Sequence, residues 1–425
     1  KDWLVHDVKG QPIRIGYVHK HVDPLYVLDT TNPRAQAYLR KTYRVLTHQW
    51  GVRYIKLDFM DSSAIEGYYY RPHTTALEAE RIGLKIIREA VGNEVLLDKD
   101  GSAMLAPVGL VDEGRIAPDT GHSFQASKDV DPNIAARYYM NGNFYISDPD
   151  AFSVSTEVEP EQTWPNRKSP LTLYEAQVQI VLAALAGGMY EIGDDLPTLG
   201  STYDRMALVT NQDLLRMVAL HRAAIPLDLM SFSYQDGMPS EYFLKEDARQ
   251  SMLAVFNWTE VPRSHTLTLS DLGLAPGDRY TAYDALYSHA LVPIKSGKIS
   301  IAHQPHRSVC LVKIIDTSVP AAAPSVTVEA PKTAQTGDAI KLRAVAAEDG
   351  VPALSYHWDF GDETTASGKE VTHAFTRAAK YNVKLTVDGM DGLPAKKETT
   401  IVVQGALKTA FHLLENRRYV EPGNK

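Results

Sequence analysis

Arg53-Tyr54-Ile55-Lys56-Leu57-Asp58-Phe59 reads as a short strand that ends on an acid. Alternate residues of a strand share a face, so Lys56 and Asp58 point the same way at its C-terminal end. A helical pattern from about Thr75 follows, with apolar residues at Ile82, Ile86 and Ile87 and with Gly92 placed as its C′ residue. The unit then repeats. Strand patterns at Tyr26–Asp29, Val95–Leu97, Gly114–Ala117, Phe144–Ile146 and Met189–Ile192 alternate with helical ones. The helical patterns run from Pro33 to about Trp50 (with Thr31 and Asn32 as N-cap candidates), Pro132 to Met140, Leu173 to Ala186 and Asp204 to Ala224. Successive βα units imply a parallel sheet covered by helices.

No glycine-rich phosphate loop follows the first strand, as an open doubly wound sheet would usually show. What recurs is an acid just past a strand: Asp29, Asp58, Asp98, Asp119, Asp148 and Asp194. In a (β/α)8 TIM barrel such positions gather at the C-terminal face, where active sites lie. A rim of acids suits a neutral polyhydroxyl ligand. The six strand positions leave about two short of eight. The chain opens Lys1-Asp2-Trp3 without an initiator methionine or a signal peptide, so it reads as starting within the barrel. The expectation is an N-terminal segment, on a separate polypeptide or the same one, that completes the barrel. An open sheet would leave its edges unpaired.

Composition sets the outer limits. At 425 residues, two or three domains are expected. Hydrophobic residues at 44% and charged residues at 23% are ordinary for a soluble globular chain. The net charge of −8 comes without basic stripes, which argues against nucleic acid as a partner. The longest apolar candidate, Val181–Gly188, is too short for a membrane span. The single cysteine, Cys310, excludes an internal disulfide and a cysteine metal cage, and it reads as a buried thiol. His6, His73 and His122 lack ligand spacing, so no metal and no cofactor is expected. A homo-oligomer is compatible with this composition.

The domains expected are a barrel over 1–225 and an antiparallel β-sandwich over 226–316, from alternating strands such as Ser251–Trp258 and Ser308–Ile315. A Pro/Ala linker over 317–324, a second all-β module over 325–404 and a tail over 405–425 follow. The tail has a short helical pattern around Thr409–Asn416.

Two carboxylates on strand ends are the minimum for glycosidic bond cleavage: one attacks, the other gives and takes a proton. Asp58 beside Lys56 meets the first need, since a neighbouring ammonium favours the ionised form. Taken alone, the pair serves equally as an ion pair within a barrel. Arg115-Ile116-Ala117-Pro118-Asp119 supplies the second carboxylate, with Pro118 breaking the strand. Arg115 in isolation is an ordinary strand-end ion pair. Tyr68-Tyr69-Tyr70, past the Asp58 strand, either stacks on a sugar ring or packs beneath its loop.

Tyr54-Ile55-Lys56-Leu57-Asp58 resembles the Lys-x-Asp nucleophile motif of clan D glycosidases, families 27 and 36. Val108–Asp112 with Arg115–Asp119 resembles the Arg-x-x-x-Asp acid/base motif of family 36, the α-galactosidases (melibiases). Ser147-Asp148-Pro149-Asp150 resembles their Asp-Pro-Asp motif. Ala186-Gly187-Gly188 with Gly193-Asp194-Asp195-Leu196 resembles the eighth-strand region. Order and spacing agree over residues 1 to about 315.

The resemblance implies a retaining glycoside hydrolase that cleaves terminal α-galactosides, with Asp58 as nucleophile and Asp119 as acid/base. Lys56, Arg115, Asp100, Gly101, Asp148 and Asp150 would bind substrate. An α-N-acetylgalactosaminidase or a raffinose-type transglycosylase uses the same carboxylates. A non-catalytic carbohydrate-binding protein is the alternative outside enzymes. Where many family 36 members have Cys-Gly against the C2 substituent, this chain has Asp100-Gly101, which favours a 2-hydroxyl over an N-acetyl group. The module from Ser325, with Tyr356–Asp362, His373-Ala374-Phe375 and Tyr381–Val387, resembles the PKD domain. Such modules imply an exported protein, secreted or periplasmic.

Overall fold

The computed structural model describes residues 2–18, 23–156, 171–200, 202–286 and 288–405, and these fall into two compact units. The first runs from the N-terminus to Thr317 apart from Asp247–Arg249, and the second is chiefly Ser318 onward. The helical stretch expected at 409–416 lies outside the described residues.

The first unit begins with an antiparallel pair, β1 (Arg14–Val18) and β2 (Asp23–Tyr26). Helix α1 (Pro33–Arg44) starts where expected, because Asn32 accepts a hydrogen bond from the Arg34 amide and Pro33 needs no donor in the first turn. A π-helical turn carries it on to Gln49. Then come β3 (Tyr54–Leu57), α2 (Ala76–Val91), β4 (Leu96–Lys99), β5 (Glu113–Arg115), α3 (Phe124–Arg137), β6 (Ile146–Asp148) and α4 (Leu173–Leu185). Thr75 caps α2, while Thr172 and Glu175 form a capping box on α4. Three short helices follow: α5 (Leu196–Leu199), α6 (Tyr203–Val209) and α7 (Gln212–Val218).

β3, β4, β5 and β6 form one parallel sheet in that order, with Lys56 level with Asp98, Asp98 with Glu113, and Arg115 with Asp148. Two of the six strand positions depart from expectation. The segment near Tyr26–Asp29 belongs to the β1–β2 hairpin, outside the parallel sheet. Met189–Ile192 runs beside β6 without a continuous ladder: the Met189 amide donates to the Ser147 carbonyl, and Ile192 bridges Phe152 in parallel. It comes so close because Gly188 has no Cβ, which would sit 2.0 Å from the Ser147 oxygen. Helix α3 starts eight residues before Pro132, with Ser123 as its cap. The proline is accommodated mid-helix, where Asn133 Nδ2 donates to the Asp129 carbonyl. The pattern from Asp204 to Ala224 is split because Asn211 caps α7.

One face of the parallel sheet carries Leu57 and Leu97 into a core with Leu84 and Ile87 of α2, Ile134 of α3 and Leu182 of α4. The other face carries Tyr54, Lys56, Leu96, Asp98, Glu113, Arg115, Ile146 and Asp148. Its lower part leaves Tyr54, Leu96 and Ile146 more than 40% exposed.

The unit closes with an antiparallel sandwich. β7 (Ile225–Pro226), β8 (Glu241–Lys245), β9 (Gln250–Asn257), β10 (Arg263–Thr268), β11 (Tyr280–Asp284), β12 (Ile294–Lys295), β13 (Lys298–Gln304) and β14 (Ser308–Asp316) form sheets of order β11-β14-β9-β8-β7 and β10-β13-β12. All eight residues of β9 are buried. Met252, Ala254 and Phe256 face the helical core, and Leu253 and Val255 face the sandwich core. Phe256 lies flat on Trp258 at 4.9 Å and meets Tyr242 edge-on at 5.7 Å.

The second unit holds β15 (Val326–Glu329), β16 (Thr333–Gln335), β17 (Ile340–Ala346), β18 (Ala353–Asp359), β19 (Thr365–Ser367), β20 (Glu370–His373), β21 (Ala379–Gly389) and β22 (Ala395–Gln404). They form sheets β15-β17-β20 and β16-β22-β21-β18-β19 around Trp358, Phe360 and Phe375. The Trp358 indole donates to the Gly368 carbonyl at 2.9 Å. In the Asp359–Asp362 turn Gly361 adopts φ +75°, a left-handed conformation that favours glycine.

Because Phe256 packs β9 into the helical core, Phe256→Ala is expected to cost about 3–5 kcal/mol in urea unfolding of the first unit. A loss below about 1 kcal/mol would show that Phe256 does not anchor β9 in that core.

Candidate active site

The C-terminal ends of β3 to β6 bring most of the expected residues together around one guanidinium. Arg115 is the last residue of β5 and is 4% exposed. Its Nη1 donates to Asp100 Oδ2 at 2.8 Å and its Nη2 to Asp119 Oδ1 at 3.0 Å. Asp150 Oδ2 lies 3.2 Å from Nη2, and Asp148 Oδ2 lies 3.9 Å from Nε. Four carboxylates from three strand ends thus share one planar fork, the geometry for which arginine rather than lysine is suited. Asp150 has φ +75° and is held in place: its amide donates to Asp148 Oδ1, and its Oδ2 accepts from the Thr120 amide at 2.6 Å.

Lys56 lies within β3 and Asp58 just past its end, and the ammonium is not directed at Asp58. Its Nζ is 3.9 Å from both Asp100 and Asp148, and among the described residues no ion pair reaches Asp58. Asp58 instead stands exposed past the end of β3, where its Oδ1 accepts from the Phe59 amide at 2.7 Å. Phe59 turns the chain there with φ +54°. The ammonium is therefore shared with the β4 and β6 acids, because β4 places Asp100 beside it. Gly101 takes φ +74° against the turn at Met60–Asp61, where an added Cβ would sit 3.0 Å from Asp61 Oδ1.

Not every acid expected at the rim belongs to it. Asp29 clamps a turn, accepting from the Thr31 amide and hydroxyl and from the Tyr70 amide. Asp194 accepts from the Val154 and Ser155 amides. Both serve backbone donors. His122 is buried, with Nε2 2.8 Å from the Ser155 carbonyl. The tyrosine run divides: the Tyr69 hydroxyl donates to the Ile65 carbonyl, while Tyr68 and Tyr70 remain exposed.

A deeper layer lies beneath the rim, and it holds Asp98 and Asp148, which were expected at the rim itself, together with Glu113, which the sequence did not single out. Asp98, Glu113 and Asp148 lie on the inner face, with Asp98 and Asp148 fully buried. Asp98 Oδ1, Glu113 Oε2 and Asp148 Oδ2 have no hydrogen-bond partner among the described residues. The Tyr54 hydroxyl donates to Asp98 Oδ2 at 3.1 Å. Burial, reinforced by the charge of Asp148, pushes Asp98 up to about 7, and burial raises Glu113 and Asp148 as well. On the opposite face, Lys99 is fully buried with Nζ 2.8 Å from the Arg115 carbonyl, and burial brings it down to about 8. Gly114 makes room for it, since a Cβ there would meet Lys99 Cε at 2.5 Å. The two-residue spacings Asp98–Asp100 and Glu113–Arg115 are the signal that places this layer beneath the rim.

The arrangement can hold a neutral polyol among mixed donors and acceptors, and it offers two solvent-accessible carboxylates, Asp58 and Asp119, at one sheet end. Among the described residues no cluster of three or more His, Cys, Asp or Glu side chains is arranged to hold a metal ion, and no helix is long and apolar enough to cross a membrane.

Residues 321–403 match the family model of the PKD domain. A stretch of 84 residues is 33% identical to collagenase ColQ1 of Bacillus cereus (strain Q1), covering 19% of this chain and 9% of the collagenase, so the chain spans less than a tenth of that relative. The fold of the chain is similar to that of a family 27 β-L-arabinopyranosidase from Geobacillus stearothermophilus, with TM-score 0.55 and 18% identity over 75% of this chain and 68% of that one. The same enzyme as an aspartate-to-alanine variant in complex with arabinose gives TM-score 0.54 and 18% identity over 72% and 67%. At this identity the likeness is one of fold. It does not single out family 36.

Asp98 supplies a pH test. Its folded value of about 7 lies above its ordinary 3.8, so the folded state holds a proton that the unfolded chain releases. Its contribution to stability is intact below pH 4, is lost as pH rises to about 7, and stays lost above. Asp98→Asn is therefore expected to raise the melting temperature relative to the parent by several degrees at pH 8 and little at pH 4.5. An equal shift at both pH values would contradict the buried protonation.

Proposed function

We propose that the chain is the greater part of a retaining glycoside hydrolase that cleaves terminal α-galactosides by double displacement. The observation that carries this reading is the Arg115 fork holding Asp100, Asp119 and Asp150 at the same sheet end as Asp58. Asp58 attacks the anomeric carbon while Asp119 protonates the departing oxygen. Asp119 then takes a proton from water as the glycosyl–Asp58 bond is cleaved. Lys56, Asp100 and Asp150 hold the ring hydroxyls with Arg115, the fully buried Asp148 supports them from the layer beneath, and Gly101 lets the chain turn there. Retention requires the two reacting carboxyl groups to lie ~5–5.5 Å apart when substrate is bound.

Asp100, bound to Arg115 and near Lys56, offers an oxygen to a 2-hydroxyl and no apolar contact to an acetamido methyl, which favours a plain galactoside over its N-acetyl analogue. A β-L-arabinopyranoside has the same ring configuration without the exocyclic carbon, so it belongs in the same assay. An N-terminal segment completes the barrel in this reading. Supporting it are the apolar inner-face residues Tyr54, Leu96 and Ile146, exposed in the described chain, and the position of β3 at the sheet edge. The PKD match favours an extracytoplasmic protein in which that module acts as a spacer.

Aryl α-D-galactopyranoside and β-L-arabinopyranoside hydrolysis tests the proposal, with the first product anomer read by NMR. Asp58→Ala is expected to abolish turnover, and Asp119→Ala to lower kcat by roughly 10²–10⁴-fold. The first-formed sugar should keep the configuration of the substrate. Inversion, or full activity in either variant, would overturn the assignment.

A further inference from the structure

Two cations on the helical side of the parallel sheet spend their charge on backbone rather than on acids. Lys99 of β4 is fully buried and Arg137 of α3 is half-buried, and among the described residues neither makes an ion pair. Around the Lys99 ammonium lie Met104 Sδ at 3.8 Å and the Tyr145 ring at 5.1 Å. Taking a cation out of water without a counter-ion costs stability, and burial brings this one down to about 8.

The two cations have neighbouring targets. Lys99 Nζ donates to the Arg115 carbonyl at 2.8 Å, and Arg137 Nη1 donates to the Ile116 carbonyl. Arg115 Nη2 in turn reaches the Ala117 carbonyl at 3.3 Å. Three successive carbonyls at the exit of β5 thus each accept from a cationic side chain. The Ile116 amide between them donates to the Asp148 carbonyl at 2.8 Å, and Pro118 has its φ fixed by its ring. The segment that leads from Arg115 to Asp119 is therefore held at nearly every peptide.

From this we infer that Lys99 and Arg137 are positioning residues for Asp119: from within the core they fix the stretch of backbone that aims its carboxyl group. The inference rests on the reading of Asp119 as acid/base. In that step Asp58 bonds to the anomeric carbon as the glycosidic C–O bond breaks, and the departing oxygen takes the Asp119 proton. An alkoxide needs that proton to leave, whereas a nitrophenoxide leaves almost without it. Misplacement of the acid therefore shows selectively with a basic leaving group, and an error of about 1 Å costs up to roughly 10²-fold. A general loss of structure has no such selectivity.

The test compares kcat/KM for methyl and 4-nitrophenyl α-D-galactopyranoside at pH 6 in the parent, Lys99→Met and Arg137→Gln. Methionine keeps the length of the lysine side chain and removes its donor and charge. In both variants the methyl-to-nitrophenyl ratio is expected to fall about ten-fold, less than in Asp119→Ala, and Arg137→Lys should restore most of it. Thermal melting reports folding separately, and Arg137→Gln decides alone if Lys99→Met does not fold. Rates that stay unchanged, or fall equally on both substrates, overturn the inference and leave the proposed reaction intact. A parent that hydrolyses neither substrate, or an unchanged ratio in Asp119→Ala, overturns the proposed reaction or its acid/base, and the inference with it.

Discussion

A buried guanidinium among four carboxylates is the constraint on which the rest of the first unit depends. Arg115 is 4% exposed, and a buried charge stripped of partners costs several kcal/mol, so the acids around it must be delivered accurately. They come from three strand ends: Asp100 just past β4, Asp119 from the turn after β5, and Asp148 and Asp150 at and just past the end of β6. The parallel register makes this delivery automatic, since it sets Arg115 level with Asp148 and carries Asp100 alongside. Lys56 adds a second positive charge at the edge of the same cluster. The acids still outnumber the cations, and the excess is tolerated partly by protonation in the deeper layer, where Asp98 is raised to about 7.

That layer must be held from outside as well as within. The helices that cover the sheet share a core with one side of β9, whose other side belongs to the sandwich. The buried Tyr242 hydroxyl reaches Asp131 of α3 at 2.5 Å, and Trp258 packs against Phe124 at the start of the same helix. The sandwich is therefore fastened to the element that immediately follows the Asp119 turn, which limits how far that turn can move.

Local chemistry was legible in the sequence and long-range partnership was not. The caps at Asn32, Thr75 and Thr172 act within four residues, and each begins a helix where it was expected. The alternation along residues 54–57 is likewise local, but the strand ends at Leu57, one residue before Asp58. Whether Lys56 faces Asp58 or Asp100 depends on which strand lies beside β3, and no feature of residues 53–59 carries that. Asp29 and Asp194 look like rim acids by position, yet their oxygens are taken by backbone amides supplied by other loops. Pro132 misled for a related reason: it suits a helix start, but here the helix has its cap at Ser123 and passes through it.

Gly114 and Lys99 carry a consequence for how this sequence can change over time. The lysine fills the space that a side chain at 114 would need, and its ammonium holds the carbonyl of the residue on which the rim is centred. A shorter residue at 99 does not by itself admit a larger one at 114, because an added Cβ would also lie 2.9 Å from Tyr145 Cε2. Shortening 99 alone removes the ammonium from the Arg115 carbonyl, so that first step is disfavoured as well. The three positions are thus tied together: a change at 114 is contingent on changes at both 99 and 145.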